Sequence, residues 1–181
     1  MYNVWKDIDP KRINAEDFIA FIEIEKGCQN KYELDKETGL IILDRVLSTS
    51  THYPMNYGFI PRTYCDDHDP LDVCVLCSQA IEKASLVRCK PIGVLRMTDQ
   101  GMLDEKIVAV PLKDFTYNEF NDVSELPKHI FAELQHFFTV YKQLEDRPVK
   151  VDKMFGREDA IKVIEESIRQ FKINFEGGVG I

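Results

Sequence analysis

The segment DDHDPLDV, Asp66 to Val73, places four carboxylates within seven positions and then runs into apolar sequence. Two like charges about 4 Å apart repel by roughly 1 kcal/mol in water and by about 4 kcal/mol at an effective dielectric near 20. Either the acids splay into water from a solvated loop, or something cationic offsets them. Pro70 fixes its own φ and pushes Asp69 towards extended geometry, which holds the acids in one shape and favours cations. A calcium hand is excluded, because counting from Asp67 puts Asp72 where the loop needs Gly and Ser78 where it needs Glu. Magnesium suits the pattern better. It takes few carboxylates, keeps waters, and shares its shell with phosphate oxygens.

Other residues able to take part in such chemistry lie on both sides of this segment. MTDQGMLDEK supplies Asp99, Asp104 and Lys106 in a hairpin-like connection, where they either converge with Asp67 and Asp72 or form an ordinary turn and solvated edge. YPMNYGFIP carries Tyr53 and Tyr57 beside an Asn-Tyr-Gly turn; their rings can cap the core or their hydroxyls can meet an oxyanion. Lys31 and Glu33 in NKYELD share one face at strand spacing. Arg45 is a charge inside an apolar strand, a placement that anion recognition explains. Tyr141 and Lys142 close a helical stretch, where a lysine also complements the helix dipole.

Short β-type runs must position these groups: FIAFIEIE from Phe18, LIILDRVL from Leu40, VCVLC from Val73, SLVRCKPIGVLRM from Ser85 and KIVAVPL from Lys106. Their spacing predicts an α+β, β-rich fold, a small closed or nearly closed antiparallel barrel with C-terminal helices packed outside it. From Pro127 the period changes to steps of three and four through Ile130, Leu134, Phe137, Phe138, Tyr141 and Leu144, which predicts a helix. A second helix is expected from about Arg157 to Phe171, with Ile161, Ile164, Ile168 and Phe171 on one stripe. The tail EGGVGI is expected to fray.

At 181 residues and 44% hydrophobic content, the chain suits a single catalytic domain, 1–181, with one buried core. A net charge of −8 disfavours wrapping nucleic acid, which requires a basic face. No apolar run has the length of a signal peptide or a membrane span, so a cytoplasmic location is expected. Five cysteines, an odd number, fit reduced thiols. Cys74 and Cys77 form a CxxC, but on a strand they point to opposite faces and do not readily share an ion.

DHDPLDV resembles the D-x-D-P-x-D-V signature of the soluble family I inorganic pyrophosphatases of bacterial type. Further pieces match in the same order: E-I-x-K-G-x-x-N-K-Y-E from Glu23, D-R from Asp44, Y-P-x-N-Y-G from Tyr53, M-T-D-x-x-x-x-D-x-K from Met97 and H-F-F-x-x-Y-K from His136. The resemblance implies an OB-like barrel flanked by helices, hydrolysing pyrophosphate to two orthophosphates with several Mg²⁺ ions. By position it assigns Asp67, Asp72 and Asp104 to the tightest metal site, with Asp72 serving a second ion, and Asp99 and Asp104 to the ion arriving with substrate. It makes Asp69 the general base for a metal-bound water and leaves Asp66 to solvent. Lys31, Arg45, Tyr57, Lys106, Tyr141 and Lys142 would hold phosphate oxygens, with Glu23, Glu33 and Tyr53 in support.

The chain departs from the family pattern at His68, usually Gly, Asn or Ser, at Glu25, often Pro, and at Cys28, often Ser. None of these removes a matched functional side chain; His68 is expected to point to solvent. The resemblance also implies a homo-oligomer, commonly a hexamer; the Phe-rich helix around Phe137 and Phe138 is a candidate interface. Two rival readings remain, a noncatalytic oligonucleotide-binding barrel with a structural ion and a metal-dependent phosphodiesterase. Salt-dependent retention on single strands would reveal the first, and a substrate panel the second.

Overall fold

The structure, a computed structural model, describes residues 2–99, 101–145 and 149–177. Six strands form the main sheet in the order β1 (Phe18–Ile24), β4 (Asn56–Phe59), β5 (Asp72–Val75), β7 (Met102–Pro111), β6 (Leu86–Asp99) and β8 (Val149–Gly156), and a further β1–β6 pairing closes five of them into a ring. The nearly closed barrel is as expected, with one correction: β5 and β7 run parallel, Asp72 opposite Lys106. Parallel neighbours need a long crossover. Here the whole of β6 lies between them in sequence. Strands β2 (Asn30–Leu34) and β3 (Ile41–Val46) make a separate antiparallel hairpin.

Alternation along the strands explains how one ring supports two apolar clusters. Val73 and Val75 of β5, with Ile107 and Ala109 of β7, face a cluster that includes Ala160 and Ile164 of α3 (Arg157–Phe175). Their neighbours Cys74, Val108 and Val110 face a second cluster with Leu134, Phe137 and Phe138 of α2 (Lys128–Val140). Both faces of these central strands are therefore buried, which is why they read as unbroken apolar runs. Gly156, at the N-cap of α3, offers no side-chain cap, and Asp122 Oδ2 accepts the Arg157 backbone N–H at 2.8 Å instead. Among the described residues, no helix is long and apolar enough to cross a membrane.

Several local expectations need correction. The Asn-Tyr-Gly segment is strand β4 rather than a turn, because Tyr57 and Gly58 pair with Ile24 and Ile22 on one side and with Cys74 and Val73 on the other. Strand β8 lacks a strong apolar run; its alternation VKVDKMF suits an edge strand, here paired to β6. Leu144 lies beyond the end of α2 and is exposed. The Phe137 and Phe138 side chains themselves are buried within the chain, and the face of α2 left exposed carries other residues, such as His129, Glu133 and Thr139. Of the tail expected to fray, positions 178–181 lie outside the described residues. Cys74 is buried on β5 and Cys77 lies past the strand end; the five cysteines are unpaired thiols.

Gly58 marks where the ring is tightest. A Cβ there would sit 1.8 Å from the Phe21 carbonyl oxygen on β1. Gly58→Ala should therefore destabilise the protein by about 2 to 4 kcal/mol by forcing β1 and β4 apart. Thermal denaturation checks this, and an unchanged midpoint would mean that the contact relaxes freely.

Candidate active site

A cavity of about 290 Å³ opens beside the α2 face of the barrel, between the main sheet and the β2–β3 hairpin. Eleven of the residues singled out from sequence line it: Glu23, Lys31, Glu33, Tyr57, Asp67, Asp69, Asp72, Asp99, Lys106, Tyr141 and Lys142. Three do not. Asp104 contacts Lys106 from behind. Tyr53 is buried beneath the floor, its ring 5.5 Å from Tyr57 and 4.7 Å from Phe137. Arg45 is held by Asp44 and Glu145.

The centre of the site follows from strand register. Asp104 and Lys106 share one face of β7 at a spacing of two, and parallel pairing places Asp72 opposite Lys106. Lys106 Nζ donates to Asp72 Oδ2 at 2.7 Å, to Asp104 Oδ1 at 3.0 Å and to Tyr57 Oη at 3.0 Å. The Tyr57 hydroxyl in turn donates to Asp72 Oδ2 at 2.5 Å. Lys106 is 3% exposed, so its charge depends on these partners. Burial works against the ammonium, but Asp104 and Asp72 outweigh it and hold the pKa well above the ordinary lysine value. Burial, with Asp72 beside it, pushes the Tyr57 phenol well above its ordinary value, so it stays protonated.

Two further clusters flank this centre. Lys142, just past the end of α2, donates to Asp99 Oδ2 at 2.5 Å at the end of β6. Asp99 Oδ1 is buried and has no hydrogen-bond partner among the described residues. On the hairpin, Lys31 pairs with Glu33 and reaches Asp44 Oδ2 at 3.4 Å. The acidic loop carries Asp67, which accepts the Asp69 backbone N–H at 3.1 Å, and Asp69, which pairs with Lys36. Burial raises the Asp67 pKa, and the neighbouring acids Asp69, Asp72 and Asp104 add to the rise. Asp66 is exposed, as expected.

Residues missed from sequence include Lys36 and Trp5, both lining the cavity. Lys36 lies in the turn after β2, where no periodicity marks it, and nothing local marks Trp5. His68 is exposed, as expected, but its φ of +68° lies in the left-handed region and its Nδ1 is 2.6 Å from Tyr64 Oη. That conformation favours Gly and Asn, the residues usual at this place in the resemblance.

A profile described as inorganic pyrophosphatase matches residues 20–172. The chain belongs to the inorganic pyrophosphatase family. It is 45% identical over 172 residues to soluble inorganic pyrophosphatase 2 of Chlamydomonas reinhardtii, covering 94% of this chain and 89% of that one. It is 44% identical over 171 residues to the inorganic pyrophosphatase of Aquifex pyrophilus, covering 93% and 97%. The solved inorganic pyrophosphatase of Helicobacter pylori superposes with a TM-score of 0.85 at 41% identity, covering 88% of this chain and 95% of that one.

A divalent cation, which the family implies, fits the donors present here. Asp67, Asp72, Asp99 and Asp104 offer hard carboxylate oxygens, and the orphaned Asp99 Oδ1 is a buried acceptor without a donor among the described residues. Among these residues no three acidic, His or Cys side chains are gathered closely enough to hold an ion by themselves.

Glu23 offers a check on this electrostatic picture. Burial, together with Asp72, pushes its pKa up to about 8, while its carboxylate accepts the Leu34 N–H at 2.7 Å. A raised folded-state value contributes stability that is fully present below the unfolded value, near 4.5, and is lost as pH rises through about 8. The metal-free protein should lose stability across that window. Glu23→Gln keeps the acceptor and removes the charge, so it should flatten the profile and raise the melting temperature near pH 8. Denaturation midpoints measured across this pH range decide it; equal slopes in both proteins would count against a buried, protonated Glu23.

Proposed function

We propose that this chain, as a single catalytic domain spanning 1–181, hydrolyses inorganic pyrophosphate to two orthophosphates by direct attack of water, in a Mg²⁺-dependent reaction using several ions per site. The observation that carries the reading is the alternation of acids and cations around one cavity: Asp72, Asp104 and Tyr57 at Lys106, and Asp99 at Lys142. Pyrophosphate is highly anionic, so attack is opposed until its oxygens are neutralised. Asp67, Asp72, Asp99 and Asp104 would hold the Mg²⁺ ions. When bound, the ions would supply Lewis-acid neutralisation of the phosphate oxygens and a lower pKa for nearby water.

The chain's own residues supply the rest. Lys31, Arg45, Tyr57, Lys106, Tyr141 and Lys142 would hold phosphate oxygens in place, with Lys106 prevented from deprotonating by Asp104 and Asp72. Asp69, half exposed at the cavity edge, would accept the proton of the attacking water. Its pairing with Lys36 holds it over the cavity before substrate arrives. Tyr53 would support the floor, and Glu23 and Glu33 the hairpin side. The family also supports a cytoplasmic homo-oligomer, with a hexamer favoured, and the −8 charge argues against a nucleic-acid partner.

Phosphate release from pyrophosphate should require Mg²⁺ and stop on chelation. A folded, metal-supplied sample without turnover, or one preferring phosphodiesters in a substrate panel, would sink the reading. Asp69→Asn should keep KM within about threefold and lower kcat by about 100-fold or more, the range for losing a general base. An unchanged kcat would remove Asp69 from that role.

A further inference from the structure

The acidic loop leaves and re-enters the barrel through two buried residues, Thr63 and Leu71. Between them the chain carries Asp67 and Asp69 to the cavity wall, and Leu71 is followed at once by Asp72, the first residue of β5. One side-chain oxygen joins the two ends. Thr63 Oγ1 accepts the Leu71 backbone N–H at 2.8 Å and donates to the Ile60 carbonyl at 2.5 Å. The hydroxyl is thus used both as acceptor and as donor, in a place closed to water. The Thr63 carbonyl in turn accepts the indole N–H of Trp5, on α1 (Val4–Asp7), at 2.9 Å. Thr63 is therefore fixed from both its side chain and its backbone.

Two features show what this clasp works against. Arg62, just before Thr63, has a φ of +58°, in the left-handed region that costs a residue with a side chain roughly 1 kcal/mol or more, and the Thr63–Ile60 bond closes that turn. The loop also gathers like charges, and both Asp69 and Asp72 oppose ionisation of Asp67. Bonds within the loop shape its tip: Cys65 N–H donates to the Asp69 carbonyl at 2.9 Å, His68 N–H to the Cys65 carbonyl at 3.0 Å and Asp69 N–H to Asp67 Oδ1 at 3.1 Å. None of these three reaches β5. The Leu71 carbonyl is held by the Ile60 N–H at 2.9 Å, continuing the β4–β5 ladder. That leaves the Leu71 N–H as the group that fixes how the loop enters the strand, and Thr63 is its partner.

We propose that Thr63 is a positioning residue for divalent-cation binding: its buried hydroxyl fixes the loop acid Asp67 relative to the strand acid Asp72 before an ion arrives. The proposal rests on the reading of these two carboxylates as metal ligands and adds the group that sets their separation. Thr63 does not line the cavity and acts only through the loop it closes.

Calorimetric titration of Mg²⁺ into the full-length protein, without substrate, tests it. Thr63→Val removes the hydroxyl with little change of shape and leaves the Leu71 N–H unpaired. Its dissociation constant for Mg²⁺ should rise about tenfold, as when a group that orients metal ligands is lost. Thr63→Ser, which keeps the hydroxyl, should stay within about twofold of the unmutated protein. At saturating Mg²⁺ the Val variant should recover kcat for pyrophosphate to within about threefold, because excess ion selects the competent loop arrangement. A lower melting temperature with an unchanged Mg²⁺ constant would make the hydroxyl merely structural and overturn the proposal. Equal losses in the Val and Ser variants, or a kcat that excess Mg²⁺ does not restore, would overturn it too. If the Val variant does not fold, Thr63→Cys, whose thiol is only a weak acceptor, carries the same comparison. An unmutated protein that binds no Mg²⁺ would remove the metal reading of the acids and the proposal with it. One that binds Mg²⁺ no better than its Val variant would overturn the proposal alone.

Discussion

The buried ammonium of Lys106 is the constraint on which the rest of the site depends. A lysine 3% exposed keeps its charge only if acids are already beside it. Asp104 is there because it lies two residues before Lys106 on the same face of β7, and Asp72 because β5 runs parallel to β7 in a register that sets it against Lys106. The same pairing packs Val73, Val75, Ile107 and Ala109 into the apolar cluster on the opposite face. Core and site are thus two faces of the same strands. Slipping the register by one residue would turn the acids into the core and the valines into the cavity.

The flanking cations are less deeply fixed. Lys142 and Tyr141 arrive from α2, whose apolar side is anchored by Leu134, Phe137 and Phe138. Lys31 and Arg45 arrive from the hairpin, which is tied down by Glu23 at Leu34 and by Glu145 at Arg45 and Ser48. Lysines thus reach the cavity from three directions, Lys106 from the barrel, Lys142 from the end of α2 and Lys31 from the hairpin. The hairpin is held by polar contacts, whereas α2 is held by apolar packing.

Much of the chemistry was legible because its signals are local. Asp67, Asp69, Pro70 and Asp72 lie within six positions, Asp104 and Lys106 are two apart, and α2 declares itself through its period of three and four. The strand β4 was misread because Asn-Tyr-Gly has turn composition, and only its pairing on both sides makes Tyr57 a strand residue. Strand direction was not legible either, since alternation is identical in parallel and antiparallel strands. Phe137 and Phe138 showed an apolar face but not what it meets; within the chain the barrel covers it.

By itself, then, the sequence determined which groups are available, acids in one loop and on β6 and β7, cations on the hairpin, β7 and the end of α2, and that they belong with the inorganic pyrophosphatases. Only the tertiary structure decided which acid neutralises which cation: Lys106 with Asp72 and Asp104, Lys142 with Asp99, and Arg45 with Glu145, a hundred positions away. Types and spacings are written locally in the chain. Partnerships between distant charges come from burial, which removes water as the alternative partner and leaves each charge to the groups that packing has placed beside it.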